Sequence, residues 1–139
     1  MFCVNLYKKI IMIKKPISCV KKFHNAFNIE DADFPTVDLS LEKIQLRFDL
    51  MQEENEEYLN AAKDNDIVEV ADALGDMLYI LCGTILTHGM QHKIEEVFDA
   101  IQESNMSKLD FEGKPIYRED GKVLKGPNYF KPDINKLFK

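Results

Sequence analysis

Two groups of acidic residues are the part of this chain best suited to chemistry. The first is Gln52-Glu53-Glu54-Asn55-Glu56-Glu57-Tyr58, and the second is Glu69, Asp72 and Asp76 within Glu69-Val70-Ala71-Asp72-Ala73-Leu74-Gly75-Asp76. On a helix turning about 100° per residue, Glu53, Glu54 and Glu57 share roughly 100° of one face, and Glu69, Asp72 and Asp76 share roughly 60° of another. Like charges three and four residues apart repel, so two such clusters facing each other need a compensating cation. Oxygen-only donors suit Mg²⁺. One further carboxylate can then serve as base for a water whose pKa the metal lowers.

Each group also has a plainer reading. Glu53, Glu54, Glu56 and Glu57 in a row of five are what a solvated helix face commonly carries. The second group could be a narrow exposed stripe. Against that, Glu69, Asp72 and Asp76 are the only charged residues between Ile67 and Thr87, and Asp76 has no lysine or arginine three or four positions away. A carboxylate among apolar neighbours is costly unless something relieves it. The pairing favours chemistry, because the short segment Lys63-Asp64-Asn65-Asp66 makes the two helices antiparallel neighbours and sets Glu54–Glu57 near Asp72–Asp76.

Four helices are expected to position these groups. Val20, Phe23 and Phe27 recur at helical spacing and predict a first helix over about 17–28. A loop with Pro35 follows, and Asp38 or Ser40 caps the second helix, about 41–63, with Leu41, Ile44, Phe48, Met51, Tyr58 and Ala62 as its apolar stripe. The third helix, about 67–87, is apolar nearly all round, as a central bundle helix is. His88-Gly89 ends it. A fourth covers about 93–108, with Ile94, Val97, Phe98 and Ile101 inward. Beyond Lys108, turn signals at Gly113-Lys114-Pro115, Asp120-Gly121-Lys122 and Lys125-Gly126-Pro127 break the pattern. Residues 115–117 and 122–124 suit a short hairpin, and Tyr129 and Phe130 should pin this arm to the helices. The expected organisation is an N-terminal extension over 1–16 that need not be ordered, an all-α bundle over 17–108 and an irregular arm over 109–139.

Charge distribution fits a metal-bridged polyanion. Residues 1–24 carry +6, residues 53–76 carry −8, and residues 105–139 carry +3, although solvated ends would give the same totals. The net charge of −6 argues against a general nucleic-acid or membrane-surface binder. Cys3, Cys19 and Cys82 lack CxxC spacing and read as free thiols in a reducing cytoplasm. The apolar run at the N-terminus is interrupted by Lys8, Lys9, Lys14 and Lys15, unlike a signal peptide, and Met12 is an alternative start. The uncharged run from Met77 to Met90 is short for a bilayer.

Other motifs carry less. His88 and His92 are four apart with Gly89 between them, and His24 beside Phe23 suits packing or exposure better than ligation. No GxxxxGK[ST] loop, GxGxxG turn or nucleophile setting is present. Ser104-Asn105-Met106-Ser107-Lys108 closes the fourth helix with polar groups and a cation, which suits a helix end or a phosphate.

Taken in order, Glu53-Glu54-x-x-Glu57, Asp76-Met-Leu-Tyr79 and Asn105-Met-Ser-Lys108 resemble the all-α nucleoside triphosphate pyrophosphohydrolases, the superfamily of MazG, the dimeric dUTPases and phosphoribosyl-ATP pyrophosphohydrolase. The likeness is greatest to MazG-like enzymes acting on dUTP. It extends to Phe23-His24-x-Ala26-Phe27, the Tyr79–Gly83 stretch and the lysine-rich tail near Pro132-Asp133, and spans about 17–134. The resemblance implies a four-helix MazG-like bundle, dimeric, that cleaves a nucleoside triphosphate between the α and β phosphates with Mg²⁺, or Mn²⁺ in its place. It implies Glu54, Glu57 and Asp76 as metal ligands and Glu53 as the base. Asn105 and Lys108 would hold phosphate, with Lys122 and Lys125 from the tail. The family's second element is ExxD, whereas this chain has Ala73 three residues before Asp76; Asp72 takes that place here, with Glu69 in reserve. The competing expectations are phosphoribosyl-ATP hydrolysis in histidine synthesis and a non-catalytic helical dimer with an acidic, ion-binding face.

Overall fold

A computed structural model describes residues 13–139 of the chain, and the expectations for the first twelve residues lie outside them. Four α-helices follow in chain order, α1 (Lys14–Ala26), α2 (Leu41–Lys63), α3 (Ile67–Thr87) and α4 (Ile94–Met106), before a 3₁₀ turn at Asn135–Phe138. The fold is all-helical. The one β pairing among the described residues is an isolated bridge between Tyr117 and Val123, all that forms of the expected hairpin.

Local chemistry explains the boundaries. The first helix starts three residues earlier than expected because Pro16 sits in its first turn, where a missing N–H costs nothing. Ser40 rather than Asp38 caps α2, its Oγ accepting from the Lys43 N–H at 3.2 Å. Asp66 caps α3 by accepting from the Val68 and Glu69 N–H groups at 3.0 and 3.2 Å. Between these helices Asn65 takes a φ of 57°, a left-handed value that asparagine tolerates better than most residues. Gly89, at φ 66°, ends α3 in the same way. It also lies against the Phe34 carbonyl, where a side chain would not fit.

The chain divides into two compact units, one up to Gln91 and one from His92. In the first, α1 and α2 both pack on α3. Its core is small and gathers at the C-terminal half of α3, where Cys82, Ile85 and Leu86 meet Ile17 and Val20 of α1. The loop after α1 is tied to the end of α3, with Ala32 N–H donating to the Leu86 carbonyl at 3.1 Å and Thr36 N–H to the His88 carbonyl at 3.0 Å. His88 returns a bond from Nδ1 to the Thr36 carbonyl at 2.9 Å. By length and composition α3 is apolar enough to cross a membrane, with a mean hydropathy of 1.4 in its most apolar stretch, but it is also the helix on which the others pack.

The second unit joins α4 to the C-terminal arm. Ser104 is buried, and its Oγ donates to the Phe130 carbonyl at 2.8 Å. The Phe130 N–H donates to Ser107 Oγ at 3.2 Å. The arm is therefore held by the backbone of Phe130, whose ring is half exposed, and not by aromatic burial as expected. Gly126 lies against the carbonyls of Lys108 and Leu109 with no room for a Cβ.

Three expectations about inward faces need correction. On α2, Leu41, Phe48 and Leu59 are exposed, and the least accessible positions are Lys43, Arg47, Leu50, Met51, Glu54 and Ala61. The face that α2 gives to its neighbours is turned by roughly 90° from the apolar stripe, at 100° per residue, and it includes polar Arg47 and Glu54. Nor is α3 covered all round, since Ile67 is 76% exposed and Leu74, Leu78 and Leu81 are 45–50% exposed. Likewise, Phe98 and Ile101 on α4 remain accessible. Hydrophobic periodicity marks an apolar face but not the partner that covers it.

Candidate active site

The α2–α3 turn sets the register of the two acidic groups. Glu54 lies eleven residues before Asn65 and Asp76 eleven after it, so the antiparallel helices bring these two positions to one level. At 1.5 Å per residue, that level is about 16 Å from the turn. Arg47, Glu54 and Ala61 recur every seven residues and share one side of α2, the side given to α3.

Glu54 is the centre of the site. Its Oε2 is buried and has no hydrogen-bond partner. Its pKa is pushed above the ordinary 4.5, first by burial and then by the charges of Glu57, Asp76, Glu53 and Asp72. All five carboxylates thus lie in one electrostatic neighbourhood, although two arrive from a different helix. Among the described residues no three His, Cys, Asp or Glu side chains are drawn together closely enough to ligate a single ion. A buried oxygen without a donor, ringed by carboxylates and lacking sulfur or imidazole, fits a hard divalent cation such as Mg²⁺.

The acids on α3 separate into two kinds. Asp72 and Asp76 act on Glu54. Glu69 lines a different open cavity at the α2–α3 turn, with Glu57, Asn60, Ala61, Asp64 and Asp66. Ala73 is 2% exposed, so the position where the resembled family carries an acid is here packed in the core. Glu56 turns to solvent and accepts from Gln52 at 2.7 Å.

The expected phosphate donors all belong to the second unit. Lys108 Nζ donates to Asn105 Oδ1 at 2.8 Å at the end of α4, which leaves the Asn105 amide N–H groups as outward donors. Gly126 seats the tail against the Lys108 backbone, and beside it the Lys125 ammonium lies 4.6 Å from the centre of the Tyr129 ring. Lys122 sits in the exposed turn capped by Asp120, its backbone N–H bonded to Oδ1 at 3.2 Å.

One residue escaped the sequence reading. Arg47 was an ordinary basic residue in α2, yet its Nε donates to Thr84 Oγ1 at 3.0 Å and its terminal nitrogen to the Ile80 carbonyl at 2.7 Å. Nothing local in the sequence signals partners more than thirty residues away.

Comparison with known proteins places the chain in a family. The family model described as phosphoribosyl-ATP pyrophosphohydrolase matches residues 20–105, which include α2, α3 and almost all of α4. Among solved structures the chain is similar to the provisionally named NTP pyrophosphohydrolase from Exiguobacterium sp. 255-15, at 25% identity and a TM-score of 0.46, over 88% of this chain and 91% of that one. No curated protein matches.

Proposed function

The chain belongs to the phosphoribosyl-ATP pyrophosphohydrolase family, and from that premise we propose that it is a Mg²⁺-dependent nucleoside triphosphate pyrophosphohydrolase. It cuts between the α and β phosphates and releases the monophosphate and pyrophosphate, with ribo- or deoxyribonucleoside triphosphates as its substrate class and dUTP as one candidate. The observation that carries this reading is Glu54, a carboxylate with a buried, unpartnered oxygen amid four others.

Glu54, Glu57, Asp72 and Asp76 would hold the ion. Mg²⁺ there supplies charge neutralisation for the phosphates and makes water more acidic; Mn²⁺ serves in its place. Glu53, exposed on the same helix, takes the proton of the attacking water. Asn105 and Lys108 are assigned to phosphate binding, with Lys122 and Lys125 as further cations, on the chemistry of their donors. The exposed apolar stripes of α2 and α3 support a homodimer, since a chain of this size leaves such surfaces uncovered only at a cost in solubility. Free Cys19 and Cys82 support a reducing cytoplasm.

A second reading, hydrolysis of phosphoribosyl-ATP, is favoured by the family description itself. A panel of NTPs, dNTPs and phosphoribosyl-ATP with Mg²⁺, scored for pyrophosphate, separates the two. Release from nucleoside triphosphates supports the first reading; release from phosphoribosyl-ATP alone replaces it with the second.

A further inference from the structure

Glu54 and Asp76 repel, yet something must keep α2 and α3 in register at their level. On one side the short turn with its Asp66 cap does so. On the other side stands Arg47, two turns before Glu54 on α2 and within about 20° of it around the helix. Its guanidinium reaches α3 one to two turns beyond Asp76. There Nε donates to Thr84 Oγ1, and the terminal nitrogen donates to the Ile80 carbonyl, which also accepts from Thr84 Oγ1 at 2.9 Å. The fork therefore closes on a hydroxyl–carbonyl pair that α3 itself holds in place.

The surroundings are built for this contact. A Cβ on Gly83 would come within 2.6 Å of the Arg47 terminal nitrogen and 3.0 Å of His24 Nε2, so only glycine leaves the guanidinium room to lie across α3. Asp31, its side chain 1% exposed, supports the charge on Arg47 that burial disfavours. Asp31 is itself fixed from α1 by Lys21 at 2.9 Å and by the His24 ring at 2.5 Å. Hydrogen bonds from α1 to Asp31, the charge of Asp31 on Arg47 and the bonds of Arg47 to α3 thus link the loop with three helices.

We propose that Arg47 is a positioning residue for the carboxylate pair: by pinning α2 to α3 through Thr84 and the Ile80 carbonyl, it keeps Glu54 and Asp76 at one level of the two helices, from which a divalent cation can draw both carboxylates to itself. The proposal rests on the metal-dependent reading above. It explains why a half-buried arginine, whose charge contributes no ligand, stands two turns from Glu54. A bidentate fork fixes both distance and orientation, which a lysine ammonium does not.

The test is Mn²⁺ binding to the full-length protein, measured by titration under conditions where each variant is fully folded by circular dichroism. Thr84→Val keeps the side-chain shape but removes the acceptor for Nε, and Thr84→Ser restores it. Arg47→Lys keeps the charge but not the fork. The expected result is Mn²⁺ affinity about tenfold weaker in Thr84→Val and Arg47→Lys, the lower end of what losing a partner behind metal ligands costs. Thr84→Ser should stay within about twofold of wild type. A purely structural role would lower the melting temperature and leave the affinity of the folded protein unchanged. Wild-type affinity in Thr84→Val would overturn the proposal while leaving the metal reading intact, even if Arg47→Lys failed to fold. If the unaltered protein itself bound no Mn²⁺, the metal reading would fall and the proposal with it.

Discussion

The Asp76 carboxylate on α3 faces Glu54 on α2 at the level where both stand eleven residues from Asn65, and it adds to burial and Glu57 in pushing the Glu54 pKa up. Twenty-two residues of sequence separation are closed by one tight turn and its two caps. The functional consequence is a site whose negative charge is held together by the fold rather than relieved by it.

Metal-free stability should record this. Because the folded-state pKa of Glu54 lies above its ordinary 4.5, the folded state holds that proton more tightly than the unfolded state. The stabilising contribution of protonated Glu54 is full below 4.5 and is lost as pH rises through the raised folded value. Urea denaturation in chelator should show this decline in wild type and not in Glu54→Gln. At neutral pH, the variant should gain a few tenths of a kcal/mol for each like-charge neighbour relieved. A wild-type profile identical to that of Glu54→Gln would contradict the account.

Phosphate binding is assigned to the end of α4. Lys108→Ala should raise the KM for a nucleoside triphosphate roughly tenfold, the scale of one charge-assisted hydrogen bond, with a smaller change in kcat. Asn105→Ala should raise it too, both by losing its own donors and by freeing the lysine it orients. Steady-state kinetics at saturating Mg²⁺ checks both. An unchanged KM in both variants would remove this pair from the site.

The loop between α1 and α2 depends on one buried carboxylate. Asp31 accepts from Lys21 and His24 and faces Arg47, so removing it leaves several donors without an acceptor. Asp31→Ala should cost about 1–3 kcal/mol in urea denaturation. Lys43→Ala, whose partner Glu30 is largely exposed, should cost well under 1 kcal/mol by comparison. Equal costs would contradict the ranking by burial.

Association should depend on the α3 stripe of Ile67, Leu74, Leu78 and Leu81. Sedimentation equilibrium is expected to give a dimer for wild type and a monomer for Leu78→Glu. A monomeric wild type would exclude the dimer, and a fully dimeric Leu78→Glu would move the interface elsewhere.

How much of this could be read from the sequence depended on range. The limits of α2 and α3 were legible because their signals are local: Ser40 and Asp66 as caps, and a short polar turn at 63–66. Glu54 and the four acids around it were legible because helical spacing and one turn suffice to bring them together. The orientation of α2 was not. Its apolar stripe suggested which side faced the protein, whereas Arg47 and Glu54 occupy that side through bonds and charges reaching across to α3. Nor did the gap at Ala73 declare itself as a core position, since an alanine between acids looks the same whether packed or exposed.

The central claim is that acids from both helices serve one metal-dependent hydrolysis. The most direct measurement is pyrophosphate release against Mg²⁺ concentration for wild type, Glu54→Gln and Asp76→Asn, with each variant shown to be folded. The account expects Mg²⁺-dependent turnover in wild type and a loss of at least about 100-fold in each variant, the scale set by a removed transition-state charge partner. Turnover in wild type that is independent of Mg²⁺, or wild-type rates in either folded variant, would contradict it.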